Sequence, residues 1–163
     1  MRLHRTLGRE LPDLWPLIRD RIASCCARSG GKYEPVDLLL NFLSGRMDLW
    51  LVLDDLDQSA SHEPPHQPSR SAVRAASAAL GDSRQIVALV ITEIVAYPRI
   101  TVCKLLACTG KDAQSWLDLL APIEAWAKSR GCGVMEPICR PGWERRLKPL
   151  GYRKTHVVLE KSL

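Results

Sequence analysis

The chain has 163 residues, of which 46% are apolar, and a net charge of +5. That length supports one domain with a proper core and is short for two. No run of eighteen apolar residues occurs, which argues against a membrane-spanning helix. Met1 to Glu10 is polar and basic, without the apolar segment that directs export, so secretion through a signal peptide is not expected.

In chain order, Arg2 to Thr6 reads as a short strand. Leu11, Leu14, Trp15, Ile18, Ile22 and Cys25 then recur at helical spacing up to Ser29-Gly30-Gly31. Pro35 suits the first turn of a second helix that runs through Leu39, Phe42 and Leu43 to Gly45. Met47 to Leu53 is an apolar strand buried on both faces. The 29 residues from Leu56 to Arg84 turn to Ser, Pro, His, Gln and Ala and read as an insertion, either functional or disordered. Gln85 to Ala96 is a central strand. Tyr97-Pro98-Arg99-Ile100 makes a tight turn, and Thr101 to Cys108 returns antiparallel, in a register that sets Glu93 opposite Lys104. From Ala113 to Leu163 the pattern predicts a helix ending at Ser129-Arg130-Gly131, a strand from Cys132 to Cys139, a basic helix from Arg140 to Leu150 and a last strand from His156 to Glu160.

Six cysteines stand at positions 25, 26, 103, 108, 132 and 139 without a C-x-x-C pair, several within apolar runs. This usage indicates a reducing compartment and no zinc site. Arg140, Arg145, Arg146, Lys148, Arg153 and Lys154, set against Glu144, account for the whole charge excess. Clustered charge points to a phosphate-bearing or acidic partner, DNA included; a solvated helix face is the simpler alternative. A nucleic-acid contact would fall on Arg145, Arg146 and Lys148, with salt-sensitive binding. Trp143, beside this cluster, is read as core before it is read as a base-stacking residue. No nucleophile elbow, phosphate-binding Walker loop or His-Glu-x-x-His is present, and His62 and His66 lie in the insertion.

The order helix, helix, strand, long hairpin, helix, strand, helix, strand resembles the GNAT family of N-acetyltransferases, with Gln85 to Cys108 as the third and fourth strands. The fold class expected is α/β (α+β): a mixed, mostly antiparallel central sheet with helices on both faces, in a single domain from 1 to 163 interrupted by 56–84. More narrowly, Ile123-Glu124-Ala125-Trp126-Ala127-Lys128-Ser129-Arg130-Gly131-Cys132, then Arg140-Pro141-Gly142-Trp143-Glu144-Arg145 and Leu150-Gly151-Tyr152, is similar to small GNAT-like proteins of tailed phages and prophages. Some of those are internal virion or morphogenesis proteins.

The resemblance implies that acetyl-CoA, if bound, lies along the backbone of Leu105, Leu106, Ala107 and Cys108. Its pyrophosphate would meet the loop after that strand. The family pattern there is Gln/Arg-x-x-Gly-x-Gly/Ala, whereas this chain has Cys108-Thr109-Gly110-Lys111-Asp112-Ala113. Two readings stay open: Thr109, Gly110 and Lys111 form a reduced anion nest, or binding is lost, with Asp112 simply capping the next helix. The family's tyrosine acid would fall at Arg146 or Leu147, neither a plausible acid. Tyr152 takes the aromatic packing position, core first and chemical second. Glu93 is the candidate base because an acid stands out in an apolar strand, with pairing to Lys104 as the structural alternative, and Glu136 is a weaker candidate. These features imply first a phage-type protein with a degraded acetyl-CoA site and no cofactor. It would assemble with protein partners in a virion or related particle, through 56–84, in the host cytoplasm. The second implication is an active N-acetyltransferase that uses acetyl-CoA.

Overall fold

The computed structural model describes residues 1–54, 86–110 and 112–163; the insertion and Lys111 lie outside the described residues. The sheet has the order β1 (Arg2–Arg5), β2 (Met47–Leu53), β3 (Ile86–Ala96), β4 (Thr101–Gly110), β5 (Val134–Pro137). Its first three pairings are antiparallel and β4–β5 is parallel. The hairpin register is the one the sequence predicts: Glu93 opposes Lys104, and the Tyr97 N–H closes the turn on the Ile100 carbonyl at 2.9 Å.

Alternation along the strands sends side chains to two cores. On one face α1 (Leu11–Cys26) and α2 (Pro35–Leu43) pack Leu14, Ile18, Ile22 and Phe42 against Leu49, Leu51, Leu89 and Ile91. On the other face α3 (Leu120–Ser129) and α4 (Glu144–Leu147) join Ile123 and Leu147 to Trp50, Val52, Val90 and Trp116. The Trp50 indole N–H donates to the buried Thr92 hydroxyl at 2.9 Å, so these two buried polar groups satisfy each other. Helices therefore cover both faces of a mixed, mostly antiparallel sheet.

Three predicted elements come out differently. The helix expected from Ala113 begins only at Leu120, after 3-10 turns at Ala113–Ser115 and Leu117–Leu119. Pro122 explains the delay: its ring would clash with the Asp118 carbonyl in a continuous α-helix, but it fits a first turn. The basic helix is reduced to α4 between the 3-10 turns Pro141–Trp143 and Lys148–Leu150, because Pro149 removes the next helical bond. The expected last strand does not form. Residues 153–163 have no regular structure, and Val157, Val158 and Leu159 are 65%, 71% and 90% exposed. Their apolar pattern is that of a strand, but no sheet edge pairs with them. β5 is also shorter than the predicted Cys132 to Cys139 strand.

Candidate active site at the β4–β5 divergence

β4 and β5 are paired only from Val102↔Val134 to Leu105↔Pro137, and the last bond runs from the Ile138 N–H to the Leu105 carbonyl at 2.9 Å. Beyond that point β4 continues to Gly110 against β3 alone, while the chain after β5 turns away. At the divergence β4 carries a bulge: Thr92 opposes Leu105 and Ile91 opposes Ala107, which leaves Leu106 without a partner. The extra residue redirects side chains, so Leu106 and Ala107 pack toward the α1 face and Leu105 and Cys108 toward the α3 face.

The divergence opens a cavity of about 430 Å³ that is lined from both faces of the sheet. One wall holds Ile91 and Leu38, the other Trp116, Leu120 and Leu147, and β4 runs between them. Such a volume suits a small molecule or one arm of a larger one. The loop after α1 forms part of the mouth. There Gly30 and Gly31 take positive φ of 68° and 78°, which favours glycine. The Ser29 hydroxyl accepts from the Lys32 and Tyr33 N–H groups at 3.1 and 3.2 Å, and this holds the loop in shape.

Four thiols, Cys25, Cys26, Cys108 and Cys139, line the cavity. Burial pushes Cys25 up to about 11, helped by Cys26 and opposed by Arg28. Burial, with Cys25 nearby, pushes Cys108 up to about 12. Cys26 is raised by burial and then by Asp37, and Cys139 by burial and then by Glu144. All four are neutral at physiological pH, which argues against a thiolate nucleophile.

The predicted site residues are dispersed. Leu105, Leu106, Ala107 and Cys108 line the cavity, while Thr109 and Gly110 extend β4 beyond it, opposite Leu89 and Ala88. Asp112 occupies the cap position of the Ala113–Ser115 turn with φ 42°, but its side chain makes no cap hydrogen bond. Glu93 lies outside the lining, on the sheet face of Met47 and Ile91. Glu136 lies 3.9 Å from the Lys104 ammonium. Tyr152 points elsewhere: its hydroxyl donates to Glu124 at 2.7 Å, and burial followed by this carboxylate pushes its pKa upward. Arg140, Arg145, Arg146, Lys148, Arg153 and Lys154 are all exposed, and only Arg140 reaches the cavity. Trp143 also lines it, 6.2 Å from the Trp116 ring.

Sequence reading did not single out Arg28, Lys32 and Tyr33. The available signal was their place in a glycine-punctuated loop after a helix, where functional residues concentrate.

No protein-family model matches the chain. No curated protein matches it either. Solved structures do. A probable acetyltransferase superposes with a TM-score of 0.62 at 12% identity, covering 100% of this chain and 97% of that one. An aminoglycoside N-acetyltransferase in complex with CoA gives 0.57 at 13%, covering 99% and 98%. A predicted acetyltransferase with acetyl-CoA from Clostridium acetobutylicum gives 0.58 at 10%, covering 99% and 95%. Likeness at this identity speaks for the fold, and the fold is that of the GNAT acetyltransferases.

Proposed function

We propose that the protein is an N-acetyltransferase that takes its acyl group from acetyl-CoA bound in the β4–β5 divergence. The observation that carries this reading is the bulged, diverging strand pair, with a cavity lined from both faces of the sheet. Transfer between two bound substrates requires both to reach one point, and a gap through a sheet lets donor and acceptor approach from opposite sides. The solved acetyltransferases of the same fold, two of them holding CoA or acetyl-CoA, support it.

The backbone of Leu105 to Cys108 would hold the pantetheine arm on the α3 side. The acceptor amine attacks the thioester carbonyl carbon, an N–C bond forms, the C–S bond breaks, and CoA leaves as its thiolate. The amine's proton must be removed and the thiolate must gain one. Glu93 sits about 7 Å along β3 from the cavity-lining Ile91, two residues away on the same face, and is the candidate base, acting through water. Tyr33 lines the cavity and is the candidate acid. Substituting Glu93→Gln should lower kcat by about 100-fold while acetyl-CoA affinity holds. A kcat within about twofold of the parent would remove Glu93 from the mechanism.

Calorimetric titration with acetyl-CoA tests the reading. Micromolar binding is expected, weakened by reversing the charge of Lys111; no binding at millimolar acetyl-CoA would sink it. The second reading is a non-catalytic assembly component of a phage-like particle, docking through 56–84. It rests on the sequence resemblance; the packing of Gly110 against β3 bears only on whether this glycine serves as an anion nest.

A further inference from the structure

We infer that the ligand entering from the α1 side carries an anionic group, held at the cavity mouth by Arg28 and Lys32 with Arg140 across from them. Naming that ligand the acceptor amine rests on the transferase reading; the anion preference does not.

Charge is the first observation. Among the described residues that line the cavity, every charged side chain is a cation (Arg28, Lys32 and Arg140), and none is an aspartate or glutamate. All three are exposed at the rim, where a field of one sign over low-dielectric walls draws counter-charge inward. The carboxylates felt there stand outside the lining: Asp37 and Glu34 raise the Cys26 thiol, and Glu144 raises the Cys139 thiol.

The second observation is a carboxylate already seated there. Glu160, on the exposed C-terminal segment, ion-pairs with Lys32, and its other carboxylate oxygen lies beside Gly30. A side chain 128 residues away in sequence thus already pairs with one of the rim cations, from outside the cavity lining. The tail competes for this cation, and a bound anion displaces it.

Arg28 and Lys32 belong to the α1 side. The start of the segment after β4, where CoA phosphates are expected, packs through Ala113 and Trp116 into the opposite core. The cations are therefore placed for the second substrate. A polycationic amine such as an aminoglycoside would be repelled at this mouth, so the substrate of that structural neighbour does not transfer to this chain.

The test uses the full chain and matched amines. With acetyl-CoA as donor, 4-aminobutyrate is compared with butylamine and putrescine, and O-phosphoethanolamine with ethanolamine, which separates carboxylate from phosphate. The anionic member of a series should show kcat/KM about tenfold or more above its neutral counterpart. Arg28→Glu and Lys32→Glu should remove that advantage by raising KM, leaving acetyl-CoA affinity unchanged. Glu160→Gln should lower KM, and Arg19→Glu, on the outer face of α1, should change nothing. Glutarate binding by calorimetry, weakened about tenfold by the same reversals, reads the site without turnover. Preference for putrescine, or reversals that weaken acetyl-CoA instead of the acceptor, would overturn the inference and leave the transferase reading standing. Glutarate binding without acetyl-CoA binding would sustain the anion site and remove the transferase.

Discussion

At Gly110 the sheet leaves no room for a side chain. A Cβ there would stand 2.5 Å from the Ala88 Cβ and 3.0 Å from the Val87 carbonyl oxygen, both on β3. Neither neighbour is the flexible end of a long chain, so relief requires β4 to lift away from β3. Gly110→Ala should therefore lower stability by about 1–3 kcal/mol, the usual cost of overpacking, and a thermal melt would register it. An unchanged midpoint would mean that the end of β4 is not held against Ala88. The same packing bears on chemistry. The sequence offered this glycine as a phosphate-binding residue, whereas the structure uses its missing side chain for strand contact. Whether Thr109 and Gly110 also reach a phosphate is what the acetyl-CoA titration decides.

The elements differ in how clearly the sequence announces them, and the reason is physical. β2 and β3 are runs of branched apolar residues buried on both faces, and Pro98 in a two-residue loop fixes the register of β3 on β4, so Glu93 could be set opposite Lys104 in advance. The bulge at Leu106 could not, because it comes from the point where two strands part rather than from a residue type. The onset of α3 is hidden because apolar spacing runs unbroken over Ala113 to Ala127, while Pro122 alone marks the first turn. For Arg28 and Lys32 the local signal is only their place in a glycine-punctuated loop; their meaning comes from β4 and β5 lying across from them. The C-terminal segment is the instructive failure. His156 to Glu160 has the composition of a strand, yet what ties it to the loop after α1 is the Lys32–Glu160 ion pair, between groups 59% and 60% exposed. Exposed pairs contribute little. Removing Thr155 to Leu163 should thus shift the urea unfolding free energy by less than about 1 kcal/mol. A loss of several kcal/mol would show that the segment pairs as the strand its sequence predicts.

At the scale of the molecule, the titrating groups displaced by folding among the described residues are mostly thiols, and they move in one direction. Burial raises Cys25 to about 11 and Cys103 and Cys108 to about 12, from an ordinary value of 9.0. Tyr152 is raised as well, by burial and then by its bond to Glu124. A raised pKa means that the folded state holds its proton where the unfolded chain has released it. Between about pH 9 and 12 the folded protein binds more protons than the unfolded one, so stability falls as pH rises through that window. Below about pH 9 both states keep these protons, and the contribution is fully present. Urea midpoints should accordingly stay level from pH 7 to 8.5 and decline at pH 10 and 11. Cys108→Ala, which removes one raised thiol, should decline less steeply than the parent even if its midpoint at pH 7 is lower. Parallel declines in the two proteins would mean that Cys108 is solvated in the folded state, and with it the β4 wall of the cavity. The slope of an alkaline unfolding series therefore reads the closure of the candidate active site without any substrate.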